Sequence, residues 1–456
     1  MFIRAINLIE NYRNFSHQTL TFDPAVNFLI GENNIGKTNV LELLHHLLAE
    51  APFEAKDFED PEKPLCVQME LAIGETACRM TVRQDSAAAA ASCTWECDGA
   101  LQAKKPKIPV IYDAAARLTN ARSDVDGQAA GKLWYAAHLE RRIVAIAEKQ
   151  TEAVCTDATG RRYLPLVMIL DEPEIHLHPY RQRRLIKTLE AMVTGGDAAF
   201  RERFKATTGI DALKGQIFIA THSPSILLGD YHQFIRIHQP CRARQIAVVC
   251  GAALKMDYRL YKHMLHNFIY LKEAMFSHCI VFVEGDTEFG AFPVFAERYG
   301  LDLDARGIGL VKLDGADSLR RCMRLYQAFD IQTVAIIDRD KRPAYRDEKD
   351  VFFTDGDDFE ADVYDHFEWE DYCRCAKTLQ KIDAFPFHQG GETLTPAEGR
   401  KRMHRIRPRQ LEQLKKSKNA LRGSIHRHIF LHISLFKIIK AAFRSIPIQK
   451  TTPRKN

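Results

Sequence analysis

The segment from Gly31 to Thr38 constrains this chain more than any other, because it fits the phosphate-loop pattern G-x-x-x-x-G-K-[ST]. The apolar run at 26–30 predicts a buried strand before it, and the apolar residues at 40–48 recur at helical spacing after it. A glycine-bearing loop between a strand and a helix holds phosphate with main-chain amides and the helix N-terminus. The segment therefore predicts an α/β fold with a nucleoside triphosphate site.

The predicted nucleotide site combines main-chain and side-chain contacts. Gly31 and Gly36 let the backbone approach the phosphates, Lys37 adds positive charge to them, and the Thr38 hydroxyl ligates the Mg²⁺ of ATP. The alternative is a chance match on an ordinary turn, which two downstream motifs disfavour. The predicted nucleotide-binding residues are Gly31, Asn33, Asn34, Gly36, Lys37, Thr38, Asn39 and Asp171.

Two downstream motifs supply the remaining parts of an ATPase site. The apolar run at 166–170 predicts a buried strand that delivers Asp171 and Glu172 to its carboxyl end. We expect Asp171 to hold Mg²⁺ through water, and Glu172 to orient and deprotonate the attacking water. A third predicted strand, 216–220, precedes His222, which reaches a γ-phosphate from that position. Adjacent acids are common on surfaces and a lone histidine is more often structural, but the order of the three motifs favours catalysis.

The turn Asn11–Phe15 leaves two interpretations open. Its basic and aromatic residues are suited to contact an adenine or ribose beside the phosphate loop. Equally, it is a solvated turn with Phe15 in the core.

Composition sets the wider limits. A length of 456 residues predicts two or three domains, and the net charge of +5 is mild. The 11 cysteines show no paired spacing suited to zinc, so we expect reduced thiols. The N-terminus shows no signal-peptide pattern and no apolar run reaches membrane-spanning length, which predicts a cytoplasmic protein without a membrane partner.

A second group of acids follows two more predicted strands. Glu284 and Glu288 come after the apolar run 279–283, and Asp338 and Asp340 come after 332–337. With a middle strand at 308–313, these runs predict a small parallel sheet. Four acids at one sheet edge repel each other unless cations lie among them, and hard oxygen ligands select Mg²⁺ or Mn²⁺. Such a site suits phosphodiester chemistry.

These motifs resemble known families. The first three resemble the ATPase head of ABC and chromosome-maintenance proteins, and residues 171–179 with 221–224 resemble the overcoming-lysogenisation-defect (OLD) ATPases in particular. The strand-E-G-x-T-E and strand-D-x-D pattern resembles the Toprim fold of topoisomerases, primases and OLD nucleases. One departure is the missing L-S-x-G-like signature between 105 and 165, where the nearest candidate is 126–131. We therefore expect slow ATP hydrolysis or none.

The resemblance implies roles for individual residues. Glu284 matches the Toprim glutamate, Asp338 and Asp340 match its D-x-D, and Glu288 matches the second metal-binding acid of OLD nucleases. The implied metal ligands are Glu284, Glu288, Asp338, Asp340, Asp358, Glu360 and, for the nucleotide's ion, Thr38. The implied catalytic residues are Glu172, His222, Glu284, Asp338, Asp340 and Lys418. An acidic loop is the alternative for Asp358 and Glu360, and a solvated basic face is the alternative for Lys418.

The predicted fold is an ABC-type P-loop ATPase domain followed by a smaller parallel α/β Toprim domain. We place the ATPase domain at 1–250, with an inserted dimerisation or partner segment at about 85–160. A linker at 251–275, the Toprim domain at 276–375 and a basic part at 376–456 follow.

The resemblance implies an ATP-binding, Mg²⁺- or Mn²⁺-dependent DNA endonuclease in anti-phage defence. Expected partners are the DNA backbone, further copies in a homo-dimer or larger homo-oligomer, and a defence protein or a retron reverse transcriptase with its nucleic acid. One alternative is a repair or chromosome-maintenance ATPase with an inactive Toprim site. A second is a topoisomerase or primase, which the lack of room for a separate domain with a catalytic tyrosine disfavours.

Overall fold

The computed structural model describes residues 2–73, 76–102, 107–114, 134–175, 177–227, 230–240, 245–256, 258, 262, 272–313, 316–359 and 362. The chain divides into two compact units, Met1–Tyr261 and Lys262–Asn456. The division falls within the predicted linker at 251–275.

The first unit contains two sheets and four described α-helices. Its strands are β1 (Phe2–Glu10), β2 (Leu20–Thr21), β3 (Val26–Ile30), β4 (Leu65–Ile73), β5 (Thr76–Gln84), β6 (Ser92–Cys97), β7 (Ala100–Leu101), β8 (Val110–Ala114), β9 (Cys155–Thr156), β10 (Arg162–Asp171), β11 (Ala212–Ala220), β12 (Phe234–His238) and β13 (Ala247–Cys250). Its α-helices are α1 (Lys37–Ala49), α2 (Trp134–Lys149), α3 (Pro179–Thr194) and α4 (Ala198–Thr208).

The first sheet of this unit is antiparallel, with the strand order β2-β1-β4-β5-β6-β7. The burial of β4 alternates along most of its length, which is the pattern of a sheet with one face on the core. Cys78 on β5 and Cys97 on β6 occupy directly opposed positions and form a disulfide. The expectation of reduced thiols is therefore wrong for this pair, because pairing between strands brings together cysteines that are 19 residues apart.

The second sheet carries the phosphate-loop strand, in the order β13-β12-β3-β11-β10-β8. Strands β12, β3, β11, β10 and β8 are parallel, whereas β13 and β9 pair antiparallel at β12 and β10. In register, Asp171 on β10 lies opposite Ala220 on β11, and Ala220 lies opposite Leu29 on β3. The three motif-bearing strands therefore end at one edge. Strand β8 comes from the segment 85–160, so part of this predicted insertion belongs to the main sheet.

Helix α1 contributes to the core that both sheets share. Val40, Leu44 and Leu47 are fully or almost fully buried, in the same apolar cluster as Ile6 of β1 and Ile169 of β10. The cluster continues from the antiparallel sheet through α1 to the parallel sheet. This packing fixes the N-terminus of α1 relative to the edge where β10 and β11 end.

The second unit is a small parallel α/β sheet. Its strands are β14 (Cys279–Val283), β15 (Ile308–Lys312), β16 (Gln332–Ile337) and β17 (Val351–Phe353), and its α-helices are α5 (Asp286–Arg298), α6 (Leu319–Ala328) and α7 (Arg342–Tyr345). The order is β15-β14-β16-β17 and every pairing is parallel. Strand β14 is wholly buried, as expected for a central strand covered on both faces. The predicted α/β class is confirmed in both units.

Among the helices that the structure describes, none combines the length and the apolar character needed to span a bilayer.

Candidate nucleotide and metal sites

The phosphate loop needs glycine at both of its glycine positions. Gly31 and Gly36 have φ values of 150° and 115°, a region that L side chains rarely adopt. A Cβ on Gly31 would stand 2.2 Å from the carbonyl oxygen of Ile237, and one on Gly36 would stand 2.7 Å from the Phe15 ring. No side chain caps the N-terminus of α1, so its first amides are available to a phosphate.

Lys37 is held inside the loop. It is 6% exposed, and its Nζ donates to the carbonyl oxygens of Gly31 at 2.9 Å and Glu32 at 2.6 Å. Burial lowers the pKa of Lys37 to about 8, against the opposing effect of the Glu172 and Asp171 carboxylates. The charge that the motif provides is therefore present at neutral pH, at a desolvation cost that an anionic ligand would offset.

The predicted Mg²⁺ pair and the predicted catalytic pair are both brought together. Thr38 Oγ1 donates to Asp171 Oδ2 at 3.0 Å, across 133 residues of sequence. Nε2 of His222 lies 3.3 Å from Glu172 Oε1. Burial, followed by the charge of Lys37, lowers the pKa of His222, so its contact with Glu172 at pH 7 is that of a neutral imidazole. Glu172 has a φ of 51°, a strained value of the kind that clusters at functional sites.

A buried carboxylate that sequence reasoning missed joins two of these motifs. Glu174 is 5% exposed, and its Oε1 accepts hydrogen bonds from the Thr221 hydroxyl and, at 3.3 Å, from the main-chain N–H of His222. Burial raises the pKa of Glu174. Its Oε2 is buried without a hydrogen-bond partner among the described residues. Glu174 therefore holds the end of β11 against the segment after β10. The sequence feature that could have indicated this role is its position three residues after Asp171.

The turn before the phosphate loop is a support for it. Phe15 is fully buried, as one of the two interpretations held, and its ring limits the space at Gly36. Arg13 is ion-paired with Asp57 and with Glu42, at 2.6 Å for Glu42, and donates to Asn39 Oδ1 at 2.7 Å. The Arg13 charge is thus balanced within the protein. Arg13 and Asp57 lie 44 residues apart, a pairing that no local pattern indicates.

The remaining predicted nucleotide residues are divided. Asn33 and Asn34 lie exposed on the loop, and Asn34 has a φ of 59°. The Asn39 side chain contacts the supporting turn, since its Nδ2 donates to Asn14 Oδ1 at 3.0 Å. Asn39 therefore supports the phosphate loop through its contact with the turn Asn11–Phe15.

In the second unit, the two strand-end acids lie side by side. Glu284 follows β14 and Asp338 follows β16, and these strands are direct neighbours. The main-chain N–H of Asp338 donates to Glu284 Oε2 at 3.2 Å, and Asp338 Oδ1 accepts from the N–H of Phe359 at 3.1 Å.

Two further predicted acids take different positions. Glu288 is 5% exposed on the first turns of α5, and its Oε2 would lie 3.0 Å from a Cβ at Gly285, so the carboxylate folds back over the turn that follows Glu284. The Asp340 side chain is 58% exposed and pairs with Lys341 Nζ at 2.8 Å. The prediction that all four acids gather is met only in part. Within the described residues, no three His, Cys, Asp or Glu side chains converge closely enough to hold an ion.

The looser predictions fall mostly outside the described residues. Asp358 is described and half-buried, and its main-chain oxygen accepts from the N–H of Asp362 at 3.3 Å. Glu360, Lys418 and the stretch 126–131 lie outside the described residues. Asp362, which sequence reasoning missed, accepts from the N–H groups of Asp355, at 3.0 Å, and Gly356.

The donor set at this edge suits a hard divalent cation. Glu284 and Asp338 offer carboxylate oxygens at adjacent strand ends, and Glu288 lies one turn away. Oxygen donors of this kind favour Mg²⁺ or Mn²⁺ over softer metals.

Comparison with known families agrees with the division of the chain into two units. The model described as overcoming lysogenization defect protein-like, TOPRIM domain, matches residues 275–340. An AAA ATPase domain model matches residues 1–112, and a second AAA model, whose description names the AbiEii toxin of type IV TA systems, matches 148–228. The chain joins an ATPase domain to an OLD-like Toprim domain. The resemblance drawn from the motifs is therefore confirmed.

Individual relatives match smaller parts of this ATPase–Toprim chain. RecF, a DNA replication and repair protein of Geobacillus thermodenitrificans (strain NG80-2), is 49% identical over 47 residues, or 10% of this chain and 12% of RecF. The Old nuclease of Escherichia phage P2 is 25% identical over 181 residues, or 38% of this chain and 28% of the nuclease. The C-terminal region of the OLD protein from Xanthomonas campestris pv. campestris is 16% identical with a TM-score of 0.28, covering 38% of this chain and 92% of that region. The chain thus spans about an eighth of RecF and just over a quarter of the Old nuclease.

Proposed function

We propose that this protein is an ATP-binding, Mg²⁺- or Mn²⁺-dependent DNA endonuclease of the OLD type. The observation that carries the proposal is the contact between Glu284 and Asp338 at the edge of the parallel sheet. Carboxylate oxygens held at adjacent strand ends are suited to bind a divalent cation, which in turn would bind a phosphate. The OLD-like Toprim match over 275–340 supports the same chemistry.

In the ATPase unit, the residues divide the work of hydrolysis. Lys37 and the loop amides would bind the β- and γ-phosphates, and Thr38 with Asp171 would hold the nucleotide's ion. Glu172 accepts the proton of the attacking water, and His222 orients Glu172 through the 3.3 Å contact. Glu174 keeps the strand end that carries His222 in place.

In the Toprim unit, the residues orient DNA phosphate and balance its charge. A divalent cation bound by Glu284 and Asp338 would neutralise the phosphate and lower the pKa of the attacking water. We propose Glu288, whose carboxylate lies over the turn at Gly285, as a further ligand of this ion. Rotation of Asp340 away from Lys341 would add a third carboxylate, since only an exposed ion pair holds it. We propose that Asp358, Glu360 and Lys418 complete this site.

Plasmid nicking tests the proposal directly. We expect purified protein to nick supercoiled plasmid with Mn²⁺ or Mg²⁺, and Asp338→Ala to abolish nicking while ATP hydrolysis stays at the wild-type rate. Lys37→Ala should weaken ATP binding strongly. If the wild-type protein never nicks the plasmid, and Asp338→Ala behaves in the same way, the proposed nuclease activity is ruled out.

A second function is a DNA repair or chromosome-maintenance ATPase with an inactive Toprim site. The Asp340–Lys341 ion pair favours it, because a carboxylate committed to a lysine is a poorer metal ligand. The RecF match adds a repair relative. ATP-dependent DNA binding without nicking, under every divalent ion tested, would support this function.

We further propose a cytoplasmic anti-phage role, exerted by a homo-dimer or larger homo-oligomer together with a defence partner such as a retron reverse transcriptase. Phage plating on cells that express wild-type protein or Asp338→Ala tests the role, and light scattering tests the assembly. Equal plating on both strains rules out defence through this nuclease.

A further inference from the structure

The first turns of α3 carry a concentration of positive charge. Arg181, Arg184 and Lys187 are exposed and Arg183 is half-buried, while the opposite face of α3 buries Leu185, Ile186 and Leu189. Among the described residues, no carboxylate forms an ion pair within 4.0 Å of any of these four cations. Glu190 attracts Lys187 from a greater distance along α3. By contrast, the nearby helix α4 has Arg203 paired with Glu140 and Lys205 paired with Asp211. The charge on α3 is therefore available to an external anion.

An aromatic stack orients one of these cations without neutralising it. Tyr180 is 73% exposed, and its ring stacks on His178 with 5.5 Å between ring centroids and 12° between planes. The Cζ of Arg183 lies 4.7 Å from the centroid of the Tyr180 ring. A cation–π contact fixes the guanidinium plane but leaves its N–H donors and its charge for a ligand. Arg183 is thus pre-organised for binding.

The same residues line an open cavity of about 550 Å³ between α3 and the start of α4. Arg183, Arg184 and Lys187 lie on its wall beside Tyr180, and Asp197 is the one carboxylate there. Asp197 Oδ1 already accepts from the N–H of Phe200 at 2.9 Å, as the N-cap of α4. Three cations therefore face the cavity against one engaged acid. We call Tyr180, Arg183, Arg184 and Lys187 the α3 basic surface.

We propose that the α3 basic surface binds the phosphate backbone of DNA. The inference rests on the proposed function, in which DNA is the substrate, and it adds a binding surface on the ATPase unit. Guanidinium groups match phosphate geometry, and cations distributed along a groove suit a polyanion. The surface presents long cationic side chains and no buried polar group that would read a base, so it binds backbone irrespective of sequence.

The experiment measures binding of a fluorescein-labelled DNA duplex by anisotropy, with the full chain in EDTA and across a range of salt concentrations. The main variant is Arg184→Ala/Lys187→Ala, because alanine keeps the helix and both residues are exposed. Loss of two phosphate contacts should reduce the slope of log affinity against log salt by about 1.8. Tyr180→Leu keeps every charge but releases Arg183, so it should weaken binding about two- to fivefold with an unchanged slope.

The matched control is Lys107→Ala/Lys214→Ala. It removes the same charge from the same unit, but these lysines are paired with Glu152 and Asp157, and Lys214 lies near the start of β11, away from the phosphate edge. We expect the control to bind DNA with the wild-type slope. A main variant with the wild-type slope and an unchanged melting curve overturns the α3 basic surface, even when nicking persists. If the wild-type protein binds no duplex at all, the proposed function is overturned instead. If light scattering shows a change in mass only in the main variant, the surface is a protein interface and the proposed DNA contact is overturned.

Discussion

The hydroxyl of Thr221 donates a hydrogen bond to Oε1 of Glu174, across 47 residues of sequence. The main-chain N–H of His222 donates to the same oxygen. Since Glu172 precedes Glu174 by two residues, one buried carboxylate sets the distance between the two residues that we expect to act on the attacking water.

Replacing Thr221 by valine keeps the side-chain shape and removes the hydroxyl. The buried Glu174 carboxylate then loses its main donor, which we expect to lower the free energy of unfolding by about 1–3 kcal/mol. ATP turnover should fall as well, because His222 is less firmly held. Denaturant unfolding and steady-state ATP hydrolysis measure the two effects. Thr221→Ser, which retains the hydroxyl, is the control, and a valine variant with wild-type turnover would contradict the role given to Glu174.

ATP affinity should decrease as pH rises above about 8. In the free protein, burial lowers the pKa of Lys37 to about 8, whereas bound phosphates favour the ammonium form. Binding above this pH therefore takes up a proton, and affinity falls by at most about tenfold per pH unit. Titration of a fluorescent ATP analogue across this range measures the effect. Lys37→Ala should bind weakly and without this dependence, and a flat wild-type profile would show that Lys37 is not the titrating group.

Divalent ions should stabilise the Toprim unit through Glu284. Without nucleotide, Mn²⁺ or Mg²⁺ should raise the melting temperature of the wild type by binding only the folded state. Glu284→Gln should lose most of this rise, yet melt no lower than the wild type in EDTA, because one of two neighbouring charges is gone. Scanning calorimetry with and without the ion measures both. Glu297→Gln, on the same unit, is the control. If Glu284→Gln responds to the ion as strongly as the wild type does, the ion binds elsewhere.

The link between α3 and the ATPase edge predicts that DNA alters ATP turnover. Gln182 Oε1 accepts from the Ser223 hydroxyl at 2.6 Å, and its Nε2 donates to the carbonyl oxygen of Leu177 at 2.9 Å. Gln182→Met keeps length and helix propensity but breaks both contacts. We expect this variant to bind DNA normally and to lose the change in ATP hydrolysis that DNA causes in the wild type. A DNA response that survives in Gln182→Met would exclude this route.

The disulfide predicts a simple count of thiols. Because Cys78 and Cys97 are joined, Cys78→Ser/Cys97→Ser should react with as many equivalents of a thiol reagent as the wild type, under denaturing and non-reducing conditions. After reduction, the wild type should react with two more equivalents than the variant. A difference of two before reduction would mean that the pair is reduced in the purified protein.

Local sequence patterns predicted the elements on which the sites are built. The runs ending before Gly31, Asp171 and Thr221 lie in β3, β10 and β11, because the buried part of a parallel strand needs a run of mainly apolar residues. The strand ends at Glu284 and Asp338 were predicted for the same reason. Motif spacing was informative here because the side chains follow directly from the strands that carry them.

Contacts across long sequence separations were not predictable in this way. The Arg13–Asp57 pair, the Glu174–Thr221 hydrogen bond and the Cys78–Cys97 disulfide each depend on which strands become neighbours. The exposed position of Asp340 depends on its ion pair with Lys341, a residue that is not part of the D-x-D pattern.

The position of β11 between β3 and β10 has a consequence for what the nucleotide site accepts. Neighbouring strands lie about 4.8 Å apart, so the phosphate-loop strand and the acidic strand are separated by about 10 Å of hydrogen-bonded backbone. This separation is set by peptide geometry, and no substitution of side chains at the edge can widen or narrow it. Altered ligand preference must therefore come from shortening or lengthening the groups that reach into the gap, while the gap itself stays constant.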